Sequence, residues 1–459
     1  MKASIRTLGL LATSVALLAA AAPALAETDE APEVLATPAS KGPPRELSTI
    51  GKDLQDAGFD IRIHYIDLFA NTPNFGFSGG GDFLNAGFLI FNTTYHISDM
   101  FRVNFVETVN IADHSADTYF LDVGNSFYAT YPYIDTRSDL TRLTLQGNFF
   151  DNKLEVEAGR MNIWPEFFRS EFCAGMGCLA QTRALVVNGP GNSVAQWGGR
   201  IGYNIAPNIS LGAALTEDNP ENWQTGSGWD WGKGSSQGYT AVMHLAQRES
   251  FKDGDKPFNY EIGAYRRSAD YEDALYGRGP GNPTFGPGQI VIEHDDGTNG
   301  VFAQARKVIW SQPDGTPFPE NIALFGGAFY TFGDGQSYPL EAYAGVEYSG
   351  FWKENPFTTV GATVHYIGLS EERAAYETNA RRFNFGTGTQ SKDTFQLGVH
   401  ARTGIGAGFF EFGAAYVINP NAPFMAEISH KKMEDGWTFY AGLVFDIGTT
   451  MGLSTPNIP

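Results

Sequence analysis

Residues 196–215 read QWGGRIGYNIAPNISLGAAL, and their alternation decides the fold. Trp197, Ile201, Tyr203 and Ile205 share one phase; Ile209, Leu211, Ala213 and Leu215 share a phase in the run that follows. Period 2 is the strand period, not the helix period. Only Ala206, Pro207 and Asn208 separate the two runs, which predicts a tight hairpin. The other face carries Gln196, Arg200, Asn204 and Ser210. One face of this hairpin needs an apolar medium and the other needs water.

The start of the chain narrows what that medium is. Lys2 and Arg6 form a basic region, LGLLATSVALLAAAA is an apolar core, and Ala24-Leu25-Ala26 is a small-x-small cleavage site. Residues 1–26 therefore read as a secretory signal peptide. A transmembrane anchor is the alternative; the short apolar run, Pro23 and the cleavage site argue against it. No later stretch has eighteen consecutive apolar residues, so no helical span follows. The chain has 14% aromatic, 18% charged and 54 glycine residues, low in charge and rich in rings and glycine for a soluble enzyme. Its formal charge of −20 becomes −22 without the signal, which contains two basic residues and no acid. Such a surface repels nucleic acid.

Residues 27–44, rich in Pro, Ala and acids, read as a flexible linker. Residues 45–57 carry Leu47, Ile50 and Leu54 at helical spacing and predict a short helix. Over 58–459, sixteen strand-like runs follow: 59–69, 83–97, 101–110, 140–148, 154–160, 196–205, 209–216, 237–247, 258–267, 300–309, 321–331, 339–349, 357–367, 394–402, 409–418 and 436–447. Most have the length of about ten residues that a tilted membrane-spanning strand needs. Connections after the second, fourth and sixth runs are short, those after the third, fifth, seventh, ninth and thirteenth are long, and those after the eighth, tenth and twelfth are intermediate, so the alternation is not uniform. Long loops gathered at one end describe an outer-membrane barrel. The medium is then lipid, where a closed barrel pairs every backbone polar group.

The expected outward set includes Tyr239, Met243, Leu340, Val346, Phe410 and Phe412; the inward set includes Arg200, Gln304, Arg306, Glu341, Glu347, Gln396, His400 and Arg402. A polar inner face over sixteen strands encloses a water-filled pore. A large soluble β-protein with one wet face is the competing architecture. GWTFYAGLVFDIG (436–448) looks like the terminal strand that the barrel-assembly machinery reads, although the chain continues to Pro459.

Several stretches resemble the carbohydrate-selective porins of the OprB type. DLQDAGFDIRIHYIDLFANTPNFG resembles that family's N-terminal helix and first strand, and LEVEAGRMNIWPEFFRSEFCAGMGC resembles the strand that enters its constriction loop. QWGGRIGYNIAPNISLGAALTEDNPENW resembles a Trp-Gly hairpin followed by Asn-Pro, and AAYVINPNAPF and FYAGLVFDI resemble the last two strands. The likeness runs over about 45–447 through scattered short patterns, with no single diagnostic signature. It implies an all-β, antiparallel barrel of sixteen strands in which an external loop folds inward and sugars pass by diffusion.

Residues 161–195 form the longest connection and the candidate constriction. A sugar offers apolar C–H faces and a ring of hydroxyls; aromatic faces suit the first, Arg forks and carboxylates the second. The candidate pore-lining residues are Arg160, Trp164, Glu166, Arg169 and Arg183, with Arg142, Arg200, Arg306, Glu107 and Glu347 on strands. Glu107 shares phase with Phe101, Val103 and Phe105, which weakens its case. Phe167, Phe168 and Phe172 can equally anchor the loop to the wall, Trp164 can pack a turn, and Arg160 and Arg183 can form structural pairs with Glu157 or Glu166. Cys173 and Cys178 are expected to pair in an oxidising compartment, a gain of about 2 kcal/mol for so small a loop. Two free thiols and half a metal site are the alternatives.

Other chemistry is weaker. GFSGG (76–80) matches G-x-S-x-G but lacks the strand-to-helix context of a nucleophile elbow, and EHDDGTNG (293–300) lacks the spacing of a calcium loop. No cofactor, metal or catalytic set is expected. The solute is expected to be a small sugar and the surroundings outer-membrane lipid. A general or cation-preferring porin and a barrel enzyme or adhesin remain the competing functions, and monomer and trimer both stay open.

Overall fold

The computed structural model describes residues 47–74, 82–114, 138–168, 195–218, 228–229, 231, 236–316, 318–421 and 432–455. The signal segment, the linker, GFSGG and the Cys pair lie outside them. In chain order the strands are β1 (Phe59–Thr72), β2 (Asp82–His96), β3 (Phe101–His114), β4 (Ser138–Phe149), β5 (Leu154–Met161), β6 (Gln196–Ala206), β7 (Ile209–Asp218), β8 (Gly238–Gln247) and β9 (Phe258–Arg267). They continue with β10 (Tyr271–Glu272), β11 (Glu293–His294), β12 (Thr298–Gln312), β13 (Glu320–Phe332), β14 (Leu340–Ser349), β15 (Thr359–Gly368), β16 (Asp393–Ile405), β17 (Gly408–Ile418) and β18 (Gly436–Asp446). Helices are α1 (Thr49–Asp56), α2 (Trp164–Phe167), α3 (Glu371–Phe383) and α4 (Ile447–Thr450).

All strands but β10 and β11 form one closed antiparallel barrel of sixteen, and each run marked in the sequence is one of them. Closure comes from β1 against β18, in register from His64 with Asp446 to Asn71 with Phe439. A closed barrel leaves no unpaired edge. Gln196–Ala206 and Ile209–Asp218 form the expected hairpin, shifted by a bulge between Asn204 and Ala206. The short turns lie at the end of the barrel where β1 begins and β18 ends.

The outward phase forms an apolar belt, with Met243 61%, Val399 57% and Phe412 57% exposed to what surrounds the barrel. Aromatic pairs mark both margins of the belt. At the terminal end Phe59 stacks on Tyr95 at 4.6 Å; at the loop end Trp437 meets Tyr416 at 5.3 Å. This is the aromatic girdle of a membrane barrel.

The glycine and aromatic richness meet inside. A Cβ on Gly263 would lie 2.2 Å from the ring of Phe302, and one on Gly345 would lie 2.2 Å from the ring of Phe325. Each inward glycine leaves a bare patch of sheet, and the ring from the neighbouring strand lies flat over it.

Three elements fall where the sequence suggested only connections. The small β10–β11 hairpin lies between β9 and β12. Helix α3 lies between β15 and β16; Ser370 caps it, accepting from Arg373 N at 2.9 Å, and Glu371 and Glu372 stand in its first turn. Helix α4 follows β18, so the chain turns back at Asp446 instead of running on as strand. There it meets α1. Ser48 Oγ donates to Gly452 O at 3.0 Å, and Gly51 sits so close that a Cβ would lie 2.0 Å from that same oxygen.

Candidate constriction site

The chain leaves the barrel wall at the end of β5. Asn162 N donates to Thr141 O at 3.1 Å, and the backbone then winds into α2, with Phe167 N donating to Ile163 O at 3.2 Å. Met161, Ile163, Phe167 and Phe168 bury themselves among Val242, Tyr265, Phe302, Phe329 and Tyr343, which stand on the inner face. Phe168 is fully buried, edge-on to Tyr265 at 5.5 Å and 6.1 Å from Phe302. Phe302 is on β12, five places further round the barrel than β5. Residues 162–168 therefore fold inward, and Phe167 and Phe168 take the anchoring role. Arg169, Phe172, Arg183, Cys173 and Cys178 lie outside the described residues. Trp164 opens α2.

Beneath this segment, Arg142, Arg200 and Glu166 converge with Glu155 and Glu157. Arg200 contacts all three carboxylates, reaching Glu166 at 3.2 Å. Arg142 also bonds Glu166 and lies 3.5 Å from Glu157. Glu157 further accepts from Thr144, and from Asn104 at 3.4 Å. The side chain of Glu157 is fully buried, whereas Arg142 and Arg200 keep 21% and 19% exposure. The short acid lies against the wall and the long arginines fold over it into the channel. A carboxylate out of water persists only with such partners.

Further round, the pattern repeats. Arg306 lies 3.4 Å from Glu347, with His400 at 3.9 Å from the other oxygen. Arg402 lies 3.2 Å from Glu411, which also accepts from Tyr440 at 3.1 Å. Arg248 and Gln304 meet Glu261 at 3.2 and 2.9 Å. Again the acids are buried and the arginines show.

Two candidates stand elsewhere. Arg160 has the outward phase of Val156 and Ala158, so its expected place in the channel is corrected. It pairs with Glu217 at 3.2 Å and lies over the ring of Trp197 at 5.6 Å. Glu107 pairs in register with outward Phe91 and accepts from Trp229 Nε1 at 3.0 Å. It too faces away from the lumen, as its shared phase with Phe105 warned. A carboxylate on that face is tolerated because Trp229 covers it.

Sequence reasoning missed Glu155, Glu261, Glu411 and the inner aromatic wall. The acids were legible as the polar phase of their strands. The wall was not, because on β12–β14 both phases carry apolar residues, and period 2 then no longer separates lipid from lumen. EHDDGTNG supplies β11 and the start of β12, with His294 Nε2 at 3.1 Å from Asp273. Among the described residues, no three His, Cys, Asp or Glu side chains are grouped to hold a metal ion.

Comparison with known proteins agrees with this architecture. The family described as carbohydrate-selective porin, OprB family, matches residues 64–423. Porin B of Pseudomonas aeruginosa is 29% identical over 139 residues, which cover 29% of this chain and 30% of that protein. The putative porin QuiX of Acinetobacter baylyi is 27% identical over 147 residues, 29% of this chain and 32% of its own. The matches thus span about a third of either relative. The high-pH structure of Pseudomonas putida OprB superposes with a TM-score of 0.70 at 16% identity, covering 86% of this chain and 94% of that one, and shows the shared fold. With the family matched over most of its length and the barrel closed at sixteen strands, the chain belongs to the OprB family of carbohydrate-selective porins of the outer membrane.

Proposed function

We propose that the chain is a passive outer-membrane channel that prefers small neutral sugars. The observation that carries this reading is the cluster of Arg142, Arg200, Glu157 and Glu166 at the foot of the inward segment. Guanidinium forks donate to sugar hydroxyls while carboxylates accept from them, and such charge-assisted bonds are directional. Both signs in one place bind a neutral polyol without holding a counter-ion. Contacts must stay weak, since conduction requires release as well as binding. The buried aromatic wall holds the segment in place, and the reading assigns no bond-making chemistry to the chain.

A cation-preferring channel fits less well. The total charge favours cations, but beside Glu157 the arginines Arg142 and Arg200 reach the water together with Glu155 and Glu166, so both signs are presented there. The test is single-channel recording of the full chain in planar bilayers, with glucose and then longer oligosaccharides added. Saturable block of the ion current is expected. Open channels that no sugar blocks would overturn the sugar preference, and folded barrels that never conduct would overturn transport.

A further inference from the structure

Arg160 faces away from the channel, yet it is 1% exposed. A guanidinium on the lipid-facing phase needs several partners at once. Its Nη1 lies 3.2 Å from Glu217 Oε1, and that oxygen also accepts Trp197 N at 3.0 Å. Its Nη2 donates to Gly228 O at 2.8 Å, and its plane lies over the Trp197 ring. Gly228 belongs to the connection between β7 and β8, so at this residue the connection lies against the outer wall. It is pinned there: Gly228 N donates to Asp139 Oδ1 at 2.6 Å, and a Cβ on Gly228 would lie 1.8 Å from Leu140 O.

The place of this clamp in the chain gives it meaning. Arg160 is the last outward residue of β5. The next residue, Met161, is already in the inner aromatic cluster, and Asn162 starts the inward segment. The segment is held inside by Met161, Ile163, Phe167 and Phe168 and by Glu166 on Arg142 and Arg200, at its take-off by the Asn162 N–Thr141 O bond, and from the outer wall by Arg160. Arg160 is the one of these contacts that ties the take-off to the outer wall.

We propose that Arg160 is a positioning residue of the constriction, setting from the outer wall where residues 162–168 enter the lumen. The inference rests on the channel reading, because its effect is read in current and in sugar block.

The experiment compares the full-length chain with Arg160→Met, Arg160→Lys and Glu217→Gln in planar bilayers. Only protein that keeps the heat-modifiable gel mobility of a folded barrel is recorded. A role in stability alone would lower the unfolding temperature and leave the current through folded molecules unchanged. Positioning predicts more: in Arg160→Met the unit conductance rises, partial closures appear, and sugar block weakens by about tenfold. Arg160→Lys, which keeps one bond to Glu217, returns both towards the parent. Should Arg160→Met fail to fold, Glu217→Gln removes the charge partner alone and is expected to shift conductance the same way. Unchanged conductance and block in folded Arg160→Met, or in Glu217→Gln where that is the variant that folds, would overturn the proposal. A parent chain that never conducts would overturn the channel reading first.

Discussion

With its side chain fully buried, Glu157 depends on Arg142, Arg200, Thr144 and Asn104 to hold its charge. Removing one side of such a group leaves the rest desolvated and unmatched, at a cost of about 3–5 kcal/mol. Glu157→Gln keeps the volume and removes the charge, so two arginines face the channel with one acid fewer behind them. Arg200→Ala does the reverse and leaves Glu157 and Glu166 with Arg142, and Glu155 with Arg102. Both variants are expected to lower thermal stability, and their zero-current potentials in a salt gradient to move in opposite directions, Glu157→Gln towards anions and Arg200→Ala towards cations. Shifts of the same sign would mean that this cluster does not face the current. The polar phase of the strands made Arg142, Arg200 and Arg306 legible as lumen residues. The same alternation puts Arg160 in phase with Leu154, Val156 and Ala158, but an arginine facing lipid makes sense only once Glu217, Trp197 and a distant loop are brought to it.

Among the elements, the strands were legible because lipid and water impose opposite demands on alternate residues. Helix α3 carries its own signals, Ser370 before two acids and Arg381 and Arg382 in the last turn, but it lacks the apolar stripe by which periodicity marks a helix. The inward segment is the element on which discrimination turns. Phe168→Ala opens a cavity against Tyr265 and Phe302 at a cost of about 3–5 kcal/mol, spent locally on releasing α2. A larger unit conductance with weaker sugar block is expected. Loss of stability without either change would place the barrier to sugars elsewhere. The β10–β11 hairpin has its own lever. Burial pushes the carboxyl of Asp273 up, but donation from Tyr276 N and Leu275 N and the neighbouring His294 outweigh it and hold the group below its ordinary value. Folding then favours the ionised form. This contribution is complete above the ordinary aspartate value of about 3.9 and is lost as the pH falls through the lower folded value. Exchange at the Leu275 and Tyr276 amides, corrected for intrinsic rate, is expected to lose protection over that range. Asp273→Asn should abolish the pH dependence; a dependence that survives would trace to another group.

At the scale of the molecule, a chain of formal charge −20 encloses a lumen in which arginines repeatedly cover acids. These two facts act at different distances. The net charge acts through solvent, and its reach shrinks with ionic strength, from about 10 Å at 0.1 M to about 3 Å at 1 M. The lumen charges lie within contact distance of any permeating ion and are screened far less. At low salt the outer charge should draw cations to the mouths and give a cation preference. At high salt that preference should fade or reverse, leaving the arginine-faced lumen to decide. Block by glucose should hardly change, because a neutral solute does not feel the screened field. Zero-current potentials measured at one fixed concentration ratio, centred first near 0.1 M and then near 1 M potassium chloride, check this. A cation preference equally strong at both would mean that acids, not arginines, face the current, and the inner surface described for Arg142, Arg200, Arg306 and Arg402 would not be the one that ions meet.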